Sequence, residues 1–309
     1  MTVTAKNSLK TCLPPDPNPV RPALVLPPDA CDAHCHVFGP AAKFPYAADR
    51  SYTPPDAPVE NLRKLHARLG ISRAVIVHAS CHGTEMDVTL DAIASSNGAY
   101  RGVACVEDSV TDGALERLHS GGIRGIRFNF VKHLGGVPDL AVFYRLLARI
   151  KPLGWHIVLH FDADDILAQR ELLGRIDVPF IIDHMGRVKA AEGLEQRPFQ
   201  SLLDLFRNNP LAWIKVCGAE RVSSGVRPFR DAVPFAQALI AVDSARILWG
   251  TDWPHPDSAA VPGRKPTEVT PLYQIDDGRL LNQLAVWAPD AAVRKTILVD
   301  NPVRLYGFG

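Results

Sequence analysis

Eight short apolar runs, each followed by a helical pattern, constrain this 309-residue chain more than any other feature. The runs fall at 31–36, 74–78, 102–106, 123–128, 155–160, 179–184, 212–216 and 246–252. Helical periodicity lies between them at 59–69, 86–95, 114–119, 140–150, 164–173, 199–206 and 229–242, with a last helix at 291–298. Runs that are apolar throughout, rather than alternating, belong to strands covered on both faces and hence to parallel sheets with helical crossovers. Eight such units in one chain fit an α/β fold of the (β/α)8 (TIM) barrel type better than an open sheet. No linker divides the chain after residue 28, so one barrel domain is expected over 29–309. Residues 1–28 carry seven prolines, from Pro14 to Pro28, and read as an extended arm.

A barrel of this kind builds its active site at the carboxyl ends of its strands. Those ends offer His34 and His36, His78 and Ser80, Arg127, His160, His184, Lys215 or Cys217, and Asp252. Side chains alternate along a strand, so His34 and His36 point to the same side. Two such imidazoles can ligate one metal ion or polarise one substrate. By itself H-x-H is a weak motif, but polar groups at nearly every strand end turn the reading towards an enzyme. Asp252, directly after Trp249-Gly250-Thr251, is placed to take the proton of an attacking water.

Bulk properties exclude other classes. Net charge is +1 without a basic tail, so no nucleic-acid partner is expected. No apolar run approaches the ~18–20 residues that span a bilayer, and the N-terminus has no apolar signal core, so a cytoplasmic location without membrane contact is expected. Six scattered cysteines without a C-x-x-C pair read as reduced thiols, and zinc ligation by Cys31 and Cys35 is not expected. Self-association is left open.

His34-x-His36, His160, Ile-Asp183-His184-Met-Gly and Gly-Thr-Asp252-Trp-Pro-His together resemble the amidohydrolase superfamily. Cys-Asp-Ala-His-Cys-His-Val-Phe-Gly-Pro from Cys31, Ala79-Ser-Cys-His-Gly-Thr84, Arg124-Gly-Ile-Arg127-Phe-Asn-Phe and Trp249-Gly-Thr-Asp-Trp-Pro-His255-Pro resemble its 2-pyrone-4,6-dicarboxylate hydrolase-like lactonase branch. The resemblance runs from residue 29 to Tyr306 and implies hydrolysis of a small anionic lactone from aromatic-compound degradation. It implies Asp252 as the base and His184 as the group that polarises the carbonyl or protonates the leaving oxygen. Arg127 and Arg221 would grip the substrate's anions, with Ser80, His82 and Tyr52 as hydrogen-bond donors.

Two departures from that branch's pyrone hydrolase, which works without a divalent metal, bear on chemistry. It has Tyr on strand five, where this chain has His160, and Arg six residues beyond the strand-four Arg, where this chain has His133. A fifth-strand histidine restores the set His34, His36, His160 and Asp252, which holds one zinc or manganese elsewhere in the superfamily. His160 can alternatively bond substrate, His184 can be a backbone-bonded core histidine, and a surface role suits Arg221 equally. Exchanging an arginine for His133 removes a planar anion-binding fork. That favours 4-sulfomuconolactone, hydrolysed by a related branch member in a metal-linked reaction to give maleylacetate and sulfite, with the pyrone dicarboxylate close behind. The competing readings are a zinc-dependent non-oxidative decarboxylase of the same superfamily and a non-catalytic barrel that binds a metabolite.

Overall fold

A computed structural model describes residues 15–225, 228–258, 263–270 and 272–309. Eight strands form its single sheet: β1 Cys31–Cys35, β2 Arg73–Val77, β3 Tyr100–Ala104, β4 Ile123–Asn129, β5 His156–His160, β6 Phe180–Ile182, β7 Ala212–Lys215 and β8 Ile247–Leu248. They lie in chain order and every neighbouring pair is parallel. The last strand returns to the first: Ala33 N–H donates to Trp249 O at 2.9 Å and Asp252 N–H to His34 O at 2.8 Å. The expected barrel is therefore present.

Helices fill the crossovers: α1 Val59–Leu69, α2 Asp87–Ala94, α3 Asp112–Ser120, α4 Leu140–Ile150, α5 Ala163–Ala168, α6 Arg170–Gly174, α7 Arg197–Asn208, α8 Ala219–Val222, α9 Val233–Asp243, α10 Asp277–Trp287, α11 Ala291–Lys295 and α12 Asn301–Tyr306. In α4 the Asp139 carboxylate caps Ala141 and Val142 N–H, while Phe143, Leu146, Leu147 and Ile150 turn one buried stripe to the sheet. None of the described helices is long and apolar enough to cross a membrane.

Two differences from the sequence reading have local causes. The third strand begins two residues early, because Tyr100 and Arg101 pair with Ala74 and Val75, while Cys105 and Val106 run past the ladder into the barrel mouth. The helix α10 was not expected. Its first turn carries Gly278, a poor helix former, needed because a Cβ there would strike the carbonyl of Val20. The arm passes α1, whose Arg68 donates to Pro19 O, and from Val20 lies against α10, with Val20 N–H on the Asp276 carboxylate and Ala23 and Leu24 N–H on Asn282 Oδ1. The remainder of the arm, with Pro14, lies outside the described residues.

The barrel interior is packed by Cys31, Ala33, Val75, Val77, Val103, Val158, Ile181, Trp213 and Leu248, closed at one end by Tyr306 and Phe308. Cys35 belongs instead to the layer between sheet and helices. The pairing register of β1 with β2 shifts between Asp32 and Cys35. A bulge there reverses which residues face inward, and so brings His34 and His36 into the barrel.

Candidate active site

The Nε2 atoms of His34 and His36 converge on one oxygen, Asp252 Oδ1, at 3.4 and 3.3 Å. All three residues are buried. His36 Nδ1 lies 2.8 Å from Val77 O, so the tautomer that satisfies this carbonyl carries its proton on Nδ1 and keeps a lone pair on Nε2. His34 Nε2 has no hydrogen-bond partner among the described residues, and burial pulls the His34 pKa down to about 4, against the pull of Asp183. His34 Nδ1 faces both Asp183 Oδ1 at 3.3 Å and Lys215 Nζ at 3.1 Å; in the tautomer that donates to Asp183 its Nε2 is an acceptor as well, and acceptor atoms that meet in this way repel one another unless a cation joins them. The donor set of two imidazoles and a carboxylate is one that suits zinc or manganese.

Asp252 is held from outside the cluster. Its backbone is left-handed, with φ 64°, a strain that persists only where the surroundings fix it. Asp32 supplies part of that fixation. Its carboxylate accepts from Thr251 N–H (3.0 Å), Thr251 Oγ1–H (2.6 Å) and His34 N–H (3.1 Å), so it ties the end of β8 to β1. Arg221 donates to Asp252 Oδ2 through Nε at 2.8 Å and Nη2 at 2.6 Å. Burial opposes ionisation, yet the Arg221 guanidinium holds the Asp252 carboxyl well below the usual range.

A second carboxylate, Asp183, lies behind His34. Its Oδ1 is 3.3 Å from both His34 Nδ1 and Lys215 Nζ, and its Oδ2 is 3.2 Å from Arg127 Nη2. Burial raises its pKa, but Lys215, His34 and Arg127 outweigh burial and keep it ionised. The Nε of Arg127 is buried without a partner among the described residues, a donor left over for an anion.

His184 stands beside His34, ring centroids 4.8 Å apart. Its Nδ1 lies 3.2 Å from Cys217 Sγ, and a Cβ on Gly218 would strike the same nitrogen. Burial raises the Cys217 thiol pKa and lowers that of His184, so both are neutral. The natural pairing is S–H donating to Nδ1, which puts the His184 proton on Nε2 and makes that atom a donor.

The other expected residues divide. His160 is next to His184, centroids 5.4 Å apart, but its ring nitrogens face Asn129 Oδ1 at 3.2 Å and Arg187 Nη1 at 3.3 Å. The buried Tyr52 hydroxyl lies beside Cys81 and Ser80, in the field of Arg127. Both ring nitrogens of His82 are engaged by backbone, Nδ1 with Pro45 O at 3.2 Å and Nε2 with Gly39 N–H at 3.3 Å. His133 is half-buried and meets Ser258 Oγ at 3.1 Å. Sequence reasoning gave no role to Asp183, Lys215, Cys217 or Arg187. Lys215 and Cys217 were visible as strand-end polar residues, and Asp183 within the Ile-Asp-His-Met-Gly motif. Arg187, beyond the strand end, gave no signal.

Residues 31–308 match the amidohydrolase family model. The chain belongs to that family. Among curated relatives it is 43% identical to a 4-sulfomuconolactone hydrolase of Rhizobium radiobacter over 92% of both chains. It is 40% identical to a 2-pyrone-4,6-dicarboxylate hydrolase of Comamonas testosteroni, over 94% of this chain and 93% of that one. An Agrobacterium tumefaciens crystal structure, 25% identical, aligns with TM-score 0.76 over 93% of this chain and 99% of its own.

Proposed function

We propose that this protein is a cytoplasmic lactonase that opens a small, multiply anionic lactone, 4-sulfomuconolactone before 2-pyrone-4,6-dicarboxylate. The observation that carries the reading is the convergence of His34, His36 and Asp252 beside the His184 donor, with arginines on two sides. The similarity to lactone hydrolases of both kinds supports it. One divalent ion, zinc or manganese, would be held by His34, His36 and Asp252, with His160 joining only by giving up its bond to Arg187. When bound, it would lower the pKa of a water and draw electron density from a carbonyl.

The protein's own groups do the rest. Asp252, fixed by Arg221 through Oδ2, presents Oδ1 to the site, where its remaining lone pair can take a proton from the attacking water. His184 Nε2–H donates to the carbonyl oxygen as negative charge develops there. Water oxygen bonds to the carbonyl carbon, the ring C–O bond breaks, and the proton held at Asp252 is available to the leaving oxygen. Arg127 Nε receives one anionic group of the substrate. Opening of the sulfonated lactone gives an acid that can expel sulfite.

The test is to incubate the purified protein and its Asp252→Asn variant with each lactone, following ring absorbance and sulfite. Ring opening by the wild type alone supports the reading. Intact lactone, or carbon dioxide release from an aromatic acid, refutes it.

A further inference from the structure

We infer that Arg187 is a specificity-determining residue that binds the second anionic group of the substrate, supplying the charge that His133 does not. This rests on the lactonase reading and names the residue that selects among its substrates. Arg187 follows His184 through consecutive left-handed residues, with φ 52° at His184, 53° at Met185, 67° at Gly186 and 50° at Arg187. That turn doubles the chain back, so that the Arg187 guanidinium reaches His160, Nη1 to Nε2 at 3.3 Å, while its Nε pairs with Asp162 Oδ1 at 3.0 Å.

The three arginines of the mouth differ in what neutralises them. Arg127 and Arg221 are paired with Asp183 and Asp252, whose side chains are fully buried. The Asp162 side chain is 49% exposed, so its pair with Arg187 is half-solvated and adds little. It is the one of these pairs that a substrate anion can replace at small cost. The Arg187 guanidinium also lies in the field of Arg221: burial, and then that like charge, lower its pKa. An anion bound near both guanidiniums would relieve that repulsion. His133, bonded to Ser258, has its pKa lowered by burial and by Arg187, and so brings no charge of its own. A planar guanidinium with unused Nη hydrogens suits a carboxylate or a sulfonate.

The experiment uses the full-length, metal-loaded protein and its Arg187→Met and Arg187→Lys variants. Calorimetry measures propane-1,2,3-tricarboxylate as a stable anionic probe, and steady-state assays measure KM and kcat on 4-sulfomuconolactone. Arg187→Met is expected to weaken the probe and raise KM by about 30-fold, the scale of a lost charge-assisted hydrogen bond, with a much smaller change in kcat. Arg187→Lys recovers only part, and thermal midpoint and metal content stay at wild-type values. A Kd and KM within about twofold of wild type overturn the inference, as does a fall in kcat with KM unmoved. A wild type that binds the probe through Arg187 but opens neither lactone keeps the anion site and discards the reaction. No probe binding by the wild type removes the site itself.

Discussion

Arg221 grips Asp252 by a single oxygen: Nε and Nη2 both reach Oδ2, and Oδ1 is left to face His34 and His36. Because both partners are buried, removing the guanidinium leaves a carboxylate without its main counter-charge. Arg221→Met is expected to cut kcat on the lactone by roughly 100-fold or more, measured by steady-state kinetics on protein whose circular dichroism is unchanged. Arg221→Lys keeps the charge but not the fork, and recovers only part. Full activity in the Met variant would mean that the pair is structural.

Cys217 Sγ lies 3.2 Å from His184 Nδ1, and an S–H donated there would put the ring proton on Nε2. Cys217→Ser keeps an O–H donor near that position and is expected to retain most activity. Cys217→Ala removes the donor and should lower kcat by about 10-fold while KM holds. Equal activity of the Ser and Ala variants would show that Nδ1 needs no donor.

How far the site could be read beforehand depended on whether a residue's direction followed from local periodicity. His34 and His36 share a side because strands repeat every two residues, so their pairing was legible. Which side they face was not, since it depends on the register shift in β1. Arg221 sits in a Gly-Ala-Glu-Arg loop that reads like surface, and only the packing of α8 buries it against Asp252. Arg187 was passed over because a left-handed turn, which no periodicity describes, returns it to the mouth. The helix α10 was missed because a close approach by the arm demands a glycine in its first turn.

That helix also anchors the loop after Asp252. His255 Nε2 lies 3.0 Å from Asp277 Oδ1, and its Nδ1 3.9 Å from Glu220 Oε1, all buried. Burial opposes the charge, but Asp277 and Glu220 raise the His255 pKa to about 10. Burial pushes the Asp277 pKa upward too, against the pull of His255. The pair is ionic, because two carboxylates flank one imidazole. A raised folded pKa gives stability that is full below the unfolded value of 6.5 and is lost as pH climbs through about 10. Asp277→Asn is expected to cost about 3–5 kcal/mol in urea unfolding at pH 7, and a cost near zero would deny the pair.

Two buried histidines act in the opposite direction. Burial, followed by His82 and His36 for His78 and by Lys215 for His156, lowers both pKa values from 6.5 to about 3. In that interval the unfolded chain binds protons that the folded chain refuses, so stability rises with pH and is lost on acidification. Each group contributes a slope of about 1.4 kcal/mol per pH unit. His156→Phe, which keeps the ring packed near Tyr306, should flatten the stability profile between pH 4 and 6 by about that slope. An unaltered profile would mean that His156 is charged in the folded protein.

Whether His34, His36 and Asp252 form a metal-dependent hydrolytic site is decided by metal content measured together with turnover. Elemental analysis of wild type, His36→Asn and His160→Asn would be paired with 4-sulfomuconolactone hydrolysis before and after chelation. The expected result is about one zinc or manganese per wild-type chain, loss of metal and activity in His36→Asn, and turnover abolished by chelator and restored by the ion. Metal retained in His160→Asn would leave that histidine as the partner of Arg187, and metal lost would make it a ligand. A metal-free wild type that opens the lactone at full rate under chelation would contradict the account.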